Sequence, residues 1–367
     1  MEKKYRVGII GATGMVGQRF VQLLSNHPWF HITALAASAS SAGKTYRQAV
    51  GSRWAMEEEI PEAIGTMTVL DAQEISTIGK LVDFVFCAVS MDKEQTRILE
   101  EAYAKAEIPV VSNNSACRGL EDVPMLIPEI NHHHVQVINA QKNRLGTKRG
   151  FIAVKPNCSI QSYVPPLSAL WEYGVKAIQV CTYQAISGAG KTFETWPEMV
   201  DNVIPYIGGE DEKSEQEPLK VWGELVETKQ GTIVKNAQIP SISAQCIRVP
   251  AKDGHLAAVS VSFERKPTME EVLEKWENYE TLPKRLGLPS APQEFIHYFT
   301  QADRPQTRLD RDFEKGMGIT MGRLREDANF DYKFVCLSHN TLRGAAGGAV
   351  LMAELLCALD YIMPIEQ

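Results

Sequence analysis

Tyr5-Arg6-Val7-Gly8-Ile9-Ile10 runs directly into Gly11-Ala12-Thr13-Gly14-Met15-Val16-Gly17, and that into Gln18-Arg19-Phe20-Val21-Gln22-Leu23-Leu24-Ser25. The first run has the make-up of a short strand, and Met15 to Ser25 places its apolar residues at helical spacing. The glycines between them therefore sit where a strand hands the chain to a helix. Small residues at such a junction let the backbone come close to a pyrophosphate, and the helix N-terminus adds free N–H groups and the positive end of its dipole. A glycine triplet by itself also fits a plain tight turn. The strand before it and the helix after it supply the context that a nucleotide loop requires, with Gly11 and Gly14 among its ligand-facing residues.

Further along, Ile32 to Ala37 reads as the next strand, Val82 to Val89 as a buried one, Lys93 to Ala106 as an amphipathic helix and Pro109 to Ser112 as another strand. Strands and helices alternating at this rhythm predict a parallel, doubly wound sheet of Rossmann type. After Lys155 the texture changes. Val175 to Ile186 and Leu256 to Glu264 are longer and partly alternating, as in a sheet with one exposed face, so an α+β domain with a mixed sheet is expected there. Thr268 to Tyr279 reads as a charged helix capped by Thr268, residues 281–330 as Pro-, Arg- and Asp-rich surface chain, and Lys333 to Leu337 as a last strand. The expected fold is α/β with two domains, 1–155 and 156–343, and a terminal helix within 344–367 that packs back on the first.

The composition of the 367-residue chain agrees: 44% hydrophobic, 23% charged, 26 Gly and 19 Pro is ordinary globular usage. It argues against disorder and against a disulfide scaffold, and the length suits two domains. A net charge of −7, from 38 basic against 45 acidic residues, offers neither a nucleic-acid footprint nor a polybasic membrane patch. The 7 cysteines are scattered and lack CxxC spacing, which points to reduced thiols in a cytoplasm and to no metal site. The basic opening resembles a signal peptide, but its apolar stretch, Val7 to Ile10, is too short for one. Ala345 to Met363 is nearly apolar and long enough to cross a bilayer. Glu354 in its middle and Asp360 near its end make it a buried helix instead. The run His132-His133-His134 is expected on a solvated face.

Ser38-Ala39-Ser40-Ser41-Ala42-Gly43-Lys44 follows the second strand. NAD-preferring sites usually place an Asp or Glu here to hold the ribose 2′-hydroxyl. Hydroxyls and Lys44 suit a 2′-phosphate better, so NADP is expected, although a solvated Ser-rich turn has the same composition.

Lys155-Pro156-Asn157-Cys158-Ser159 lies where a strand gives way to a helix expected near Ile160. A helix N-terminus stabilises a thiolate, which lowers the thiol pKa and makes a usable nucleophile. Cys158 alone among the cysteines has this placement, and spacing leaves it open as nucleophile or inert buried thiol. Three further stretches bear on the choice. Ser112-Asn113-Asn114-Ser115-Ala116-Cys117-Arg118 follows a strand's C-terminal end, where doubly wound sheets place ligands. Gln184-Ala185-Ile186-Ser187-Gly188-Ala189-Gly190-Lys191 ends a strand in a small-residue turn. Arg248-Val249-Pro250-Ala251-Lys252-Asp253-Gly254-His255 sets a guanidinium and an imidazole around another.

Taken with the late stretch Asn340-Thr341-Leu342-Arg343-Gly344-Ala345-Ala346-Gly347-Gly348-Ala349-Val350, these motifs resemble the aspartate-semialdehyde dehydrogenases. The likeness runs over essentially the whole chain and is nearer the archaeal and fungal branch. It implies NADPH-dependent reduction of L-aspartyl 4-phosphate to L-aspartate 4-semialdehyde and phosphate, on the way to lysine, methionine and threonine. The resemblance makes Cys158 the nucleophile that forms a thioester, and His255 a general acid/base whose imidazole, near its ordinary pKa, takes and returns a proton. Arg248 would hold the substrate carboxylate with its planar fork, Arg118 the phosphate with Asn114 beside it, and Gln184 would orient the substrate. Glu210 would take the amino group and Lys213 the phosphate, in a charge-rich segment that also fits a solvated loop.

For the cofactor, the resemblance adds Thr13, Met15, Val16 and Ser90 to the glycine loop, Ser38, Ser40 and Ser41 near the 2′-phosphate, and Ser187, Gly188 and Asn340 by the nicotinamide. Members of this branch often carry an arginine at the position of Ser40. The second domain would be catalytic and form a homodimer or homotetramer. Two other readings remain: malonyl-CoA reductase, which shares the fold and thioester chemistry but has no substrate amino group, and a nucleotide-binding regulator that has lost its chemistry.

Overall fold

The structure, a computed structural model, describes residues 4–365; positions 1–3 and 366–367 of the expected domain ends lie outside it. The first sheet holds β1 (Tyr5–Ile10), β2 (Phe30–Ala37), β3 (Val69–Asp71), β4 (Phe84–Cys87), β5 (Val110–Ser112) and β6 (Ile152–Val154). Its order is β3-β2-β1-β4-β5-β6, and every pairing is parallel. Both faces are covered, so strands such as Phe84–Cys87 are buried at every residue rather than alternating. Phe20 of the Met15–Leu24 helix stacks on Phe86 at 4.5 Å, and Phe30 meets Phe84 and Phe86 edge-on. Each such buried ring contributes roughly 1.5–3 kcal/mol. The strand order reverses between β1 and β4, and their carboxyl ends frame the crevice where open α/β sheets bind ligands.

The second sheet is mixed. Its strands are β7 (Val175–Gln184), β10 (Ser241–Arg248), β11 (His255–Phe263), β12 (Ile296–Phe299), β13 (Ile319–Glu326) and β14 (Tyr332–Ser338), in the order β10-β7-β11-β14-β13-β12. A separate antiparallel hairpin, β8 (Glu224–Thr228) with β9 (Gly231–Lys235), stands apart from it. β11 alternates strictly: His255, Ala257, Val259, Val261 and Phe263 are buried, while Leu256, Ala258, Ser260 and Ser262 are half-exposed. Pairing carries the partly exposed face on through Cys181 and Tyr183 of β7 and Val335 of β14. The helix Met269–Glu277 begins at Thr268 with a reciprocal cap: the Glu271 N–H donates to the Thr268 hydroxyl at 3.2 Å and the Thr268 N–H to the Glu271 carboxylate at 2.7 Å.

Two expectations fail here. Residues 281–330 are not merely surface chain, because β12 and β13 lie within them; Ile296, Ile319 and Met321 are buried apolar positions amid the Pro, Arg and Asp. The histidine run is a 3-10 turn, His132–Val137, whose His134 is fully buried. Its Nδ1 pairs with the Asn131 amide at 3.0 Å and its Nε2 with the Gly223 carbonyl at 3.0 Å, and burial lowers its pKa to about 4. Among the described residues no group of three metal-ligating side chains gathers.

The apolar terminal stretch forms a 13-residue helix, Ala346–Ala358, and no described helix is long and apolar enough to cross a membrane. Ala349, Val350, Ala353 and Leu356 join the cluster of Tyr5, Phe20, Val21 and Leu24. Glu354, fully buried, pairs with His27 at 2.8 Å and accepts from the Ser290 hydroxyl at 2.6 Å and N–H at 3.0 Å. Both of its oxygens are thereby hydrogen-bonded, as burial of a carboxyl group requires.

Candidate active site

β1 ends at Ile10, and Gly11 turns the chain at φ +89°. A Cβ at Gly11 would collide with the Ala88 carbonyl just past β4, and one at Gly17 with the backbone of Gly11 and Ala12. On the outer side the loop is bare: Gly14 is exposed, and a Cβ there would meet only the Gly11 carbonyl at 3.5 Å. Met15 and Val16 open the helix, so their N–H groups have no intrahelical acceptor. The half-buried Thr13 gives its carbonyl to Gln18 Nε2 at 3.1 Å, and Ser90 is exposed just beyond β4.

Past β2, Ser38 and Ser40 are exposed with their hydroxyls 3.0 Å apart, and Lys44 Nζ donates to the Ser40 carbonyl at 2.9 Å. Ser41 is buried in the turn. Asp71, opposite Ala37 on β3, already accepts the Gln73 N–H at 2.9 Å. A bare glycine cradle beside hydroxyls and a lysine fits a dinucleotide that carries an extra phosphate.

Cys158 follows β6 by four residues, but the helix expected near Ile160 does not form. A 3-10 turn, Ser159–Gln161, is followed by a five-residue helix, Val164–Ser168. Pro165 and Pro166 lack the N–H that a helix running through them from Ile160 would need, and suit only its first turn. The lowered thiol pKa expected from a helix dipole is accordingly absent. Burial and then the Glu210 carboxylate push Cys158 up to about 11, against the pull of Lys155, Arg118 and Arg248. Ligand-free Cys158 should therefore react with iodoacetamide at a rate still rising through pH 9, followed on its peptide by mass spectrometry. A plateau near pH 7 would mean that the resting thiol is already ionised.

His255 opens β11 and is fully buried, with Nε2 3.4 Å from Cys158 Sγ. Its Nδ1 accepts the Ala185 N–H at 3.1 Å, so the neutral ring carries its proton on Nε2 and donates toward the sulfur. Burial and then the Arg248 guanidinium lower its pKa to about 3, with Glu210 and the Gly254 carbonyl pulling the other way. This corrects the expectation of an imidazole near its ordinary pKa.

Arg248 ends β10 beside this pair. It is 6% exposed and donates from Nη1 to the Ala185 carbonyl at 2.7 Å. Among the described residues no carboxylate pairs with it within 4 Å. Gly188 leaves the necessary space: a Cβ there would sit 3.0 Å from Arg248 Nη1 and 3.1 Å from His255 Cε1. Asn340 Nδ2 donates to the Ser187 hydroxyl at 2.8 Å and its Oδ1 accepts the Gly254 N–H at 2.7 Å, which ties both turns to the chain after β14.

Glu210 and Lys213 lie in a helix, Glu210–Val221, not in a solvated loop. Gly209 starts it in the left-handed region at φ 71°. Both Glu210 oxygens accept from Asn157 Nδ2 at 3.0 Å, Oε1 also from Lys213 Nζ at 2.8 Å and Oε2 from Gln184 Nε2 at 3.3 Å. Burial alone would raise its pKa; Lys213, Asn157 and Gln184 together hold it below the usual carboxylate range. Arg118 pairs with Glu217 at 2.8 Å and donates to the Asn113 carbonyl at 3.0 Å. Asn114, by contrast, turns its Nδ2 inward to Glu100 at 2.9 Å and Cys87 Sγ at 3.3 Å. Asn157 and Glu217 were missed by the sequence reading; the i, i+7 spacing of Glu210 and Glu217 on one helix face was the available signal.

Residues 6–138 match the family model for the semialdehyde dehydrogenase NAD binding domain, and residues 166–343 that for the semialdehyde dehydrogenase dimerisation domain. The chain is 42% identical to an aspartate-semialdehyde dehydrogenase of Archaeoglobus fulgidus over 96% of its own length and 98% of that relative. To the enzyme of that name from Saccharomyces cerevisiae it is 39% identical over 99% and 100%. Among solved structures it is similar to Candida albicans aspartate semialdehyde dehydrogenase with NADP, at a TM-score of 0.87 and 38% identity, covering 98% of this chain and 100% of that one. With a site of these residues and relatives this similar over nearly their full length, the chain belongs to the aspartate-semialdehyde dehydrogenase family.

Proposed function

We propose that the protein reduces L-aspartyl 4-phosphate to L-aspartate 4-semialdehyde with release of phosphate, using NADPH. The observation that carries this reading is the approach of Cys158 Sγ to His255 Nε2 at 3.4 Å, with the anion-seeking Arg248 and the cation-seeking Glu210 near enough for their charges to act on the sulfur. Gly11, Thr13, Gly14, Met15, Val16 and Ser90 would hold the diphosphate, Ser38, Ser40 and Lys44 the 2′-phosphate, and Ser187, Gly188 and Asn340 the nicotinamide end. When bound there, NADPH supplies the hydride.

The chain's own residues do the rest. Arg248 takes the substrate carboxylate, and Glu210 exchanges the Lys213 ammonium for that of the substrate. Lys213, a third exposed, turns with Arg118 to the phosphate. Cys158 attacks the acyl carbon, the acyl C–O bond to phosphate breaks, and the phosphate departs onto those two cations carrying the thiol proton, leaving a thioester on the sulfur. His255 Nε2–H stands beside that sulfur and donates to oxygen as negative charge develops there. Its proton is held in place by the bond at Nδ1.

In this reading residues 1–155 with the terminal helix bind the cofactor and 156–343 carry the catalytic groups. The half-exposed face of the second sheet is the surface on which a homodimer or homotetramer forms. Seven cysteines, none of them in a disulfide among the described residues, support the reading of a reducing cytoplasm.

Purified protein given aspartate semialdehyde, inorganic phosphate and NADP should generate the absorbance of reduced nicotinamide. The value of kcat/KM should favour NADP over NAD by about tenfold or more, the scale of a charge-assisted contact to the extra phosphate. Preference for NAD would mean that Ser38, Ser40 and Lys44 face elsewhere. Silence with the semialdehyde, together with ready reduction of malonyl-CoA, would replace the amino-acid reading by the acyl-CoA one.

A further inference from the structure

Glu217 lies two turns along the helix from Glu210 and is 9% exposed. Its two oxygens serve different parts of the site. Oε1 accepts from Arg118 Nη1 at 2.8 Å, and Oε2 accepts the backbone N–H of Asn157 at 2.5 Å. Asn157 precedes the nucleophile, and its side chain is the one that bonds to both oxygens of Glu210. Arg118 thus has one terminal nitrogen on Glu217 and the other on the Asn113 carbonyl, while its Nε–H is buried without a partner. The guanidinium is held at its far end, with its Nε–H unspent. Lys220, one turn further on, fixes the backbone beneath it by donating to the carbonyls of Arg118 at 2.6 Å, Leu120 at 2.6 Å and Val123 at 2.9 Å.

We infer that Glu217 is a positioning residue that sets the phosphate-gripping arginine and the backbone of the nucleophile to each other. The inference rests on the reading of Arg118 and Cys158 given above. Both partners of Glu217 are donors, so both of its oxygens must accept. An amide cannot do this: whichever way a glutamine is turned, its NH2 faces one of the two donors. Glutamine is therefore the disruptive replacement despite its shape. Aspartate, with two acceptors on a stem one carbon shorter, is the milder one.

The test is steady-state kinetics of semialdehyde oxidation by wild type, Glu217→Gln and Glu217→Asp, each also in an Arg118→Ala background. Glu217→Gln should raise KM for phosphate and lower kcat, each by about tenfold or more, the scale of a lost hydrogen bond to a charged group. KM for NADP should stay within about twofold, because its loop belongs to the other sheet. Glu217→Asp should lie between wild type and the amide. In the Arg118→Ala background, Glu217→Gln should raise KM for phosphate no further while still lowering kcat through Asn157.

Unchanged kinetic constants would overturn the inference, as would an equal rise in KM with and without Arg118. So would lower thermal stability with normal kinetics per titratable Cys158, which is the mark of a merely structural carboxylate. If the amide variant does not fold, Glu217→Asp decides alone: a KM for phosphate unmoved relative to that for NADP overturns it. Protection of Cys158 from iodoacetamide by inorganic phosphate gives an arm independent of turnover, and its midpoint should shift upward in Glu217→Gln. A wild type that fails to turn over the semialdehyde sinks the proposed activity, whereas an unshifted midpoint sinks only the role of Glu217.

Discussion

Cys158→Ala should reduce turnover by roughly 10⁴-fold or more, the scale on which a covalent nucleophile is lost, while NADP still binds. Among the described residues the sulfur hydrogen-bonds only to His255, so its removal leaves the surrounding network in place. Asn157 keeps Glu210 and Glu217, and His255 keeps the Ala185 N–H. The cofactor loop lies on the other sheet, at the ends of β1 and β4. No other cysteine can take over: Cys87, Cys117, Cys246, Cys336 and Cys357 are buried, and Cys181 lies on the partly exposed sheet face. The check pairs kcat with a fluorescence titration of NADPH. A variant that kept more than about one percent of the wild-type rate would show that another group attacks the acyl carbon.

With the sulfur's pKa near 11 and the imidazole's near 3, the ligand-free pair is thiol and neutral ring at pH 7. Glu210 is the largest electrostatic brake on the thiol, and it is the group that a substrate ammonium would neutralise. Arg118 and Arg248 favour the thiolate, and on the proposed function anions arriving on them would weaken that help. Binding would then act on Cys158 through all three charges at once.

Much of this was legible in the chain because the signals were local. The Gly11–Gly17 turn, the parallel strands and the partial alternation along β11 each follow from a few consecutive residues. Cys158, Arg248, His255, Arg118 and Asn340 each stand at the end of a strand or in the turn after it, where the pattern marks them. What escaped depended on partners far away in sequence. β12 and β13 were hidden because their apolar positions are few and set among Pro and Arg. His134 looked solvated because its partner, the Gly223 carbonyl, is contributed by a distant segment. Glu217 was one more acid just past a charge-rich segment that also fitted a solvated loop, and nothing marked it until Arg118 and Asn157 were brought to its two oxygens. The pKa values of Cys158 and His255 were misjudged for the same reason: burial and neighbouring charge are properties of the assembled site, and a motif shows neither.

Arg248→Leu should lower kcat/KM for aspartate semialdehyde by about thirtyfold to a few thousandfold, from the roughly 2–5 kcal/mol that a shielded carboxylate loses with its partner. The guanidinium is buried, bonded through Nη1 to the Ala185 carbonyl, and unpaired with any described carboxylate, so an incoming anion is its natural complement. Part of the loss should appear in kcat. Ala185 accepts from Arg248 on its carbonyl and donates from its N–H to His255 Nδ1, through the two peptide groups that flank its Cα, so removing the guanidinium loosens the residue that holds the imidazole. Two comparisons separate these effects. Arg248→Lys restores a positive charge but not the planar fork, and should recover only part of the loss. A substrate without the carboxylate, 3-aminopropanal, should be nearly indifferent to the change in KM while still registering the change in kcat. Equal kinetics for lysine and arginine, or equal losses on the two aldehydes, would mean that Arg248 serves His255 through Ala185 and does not touch the carboxylate.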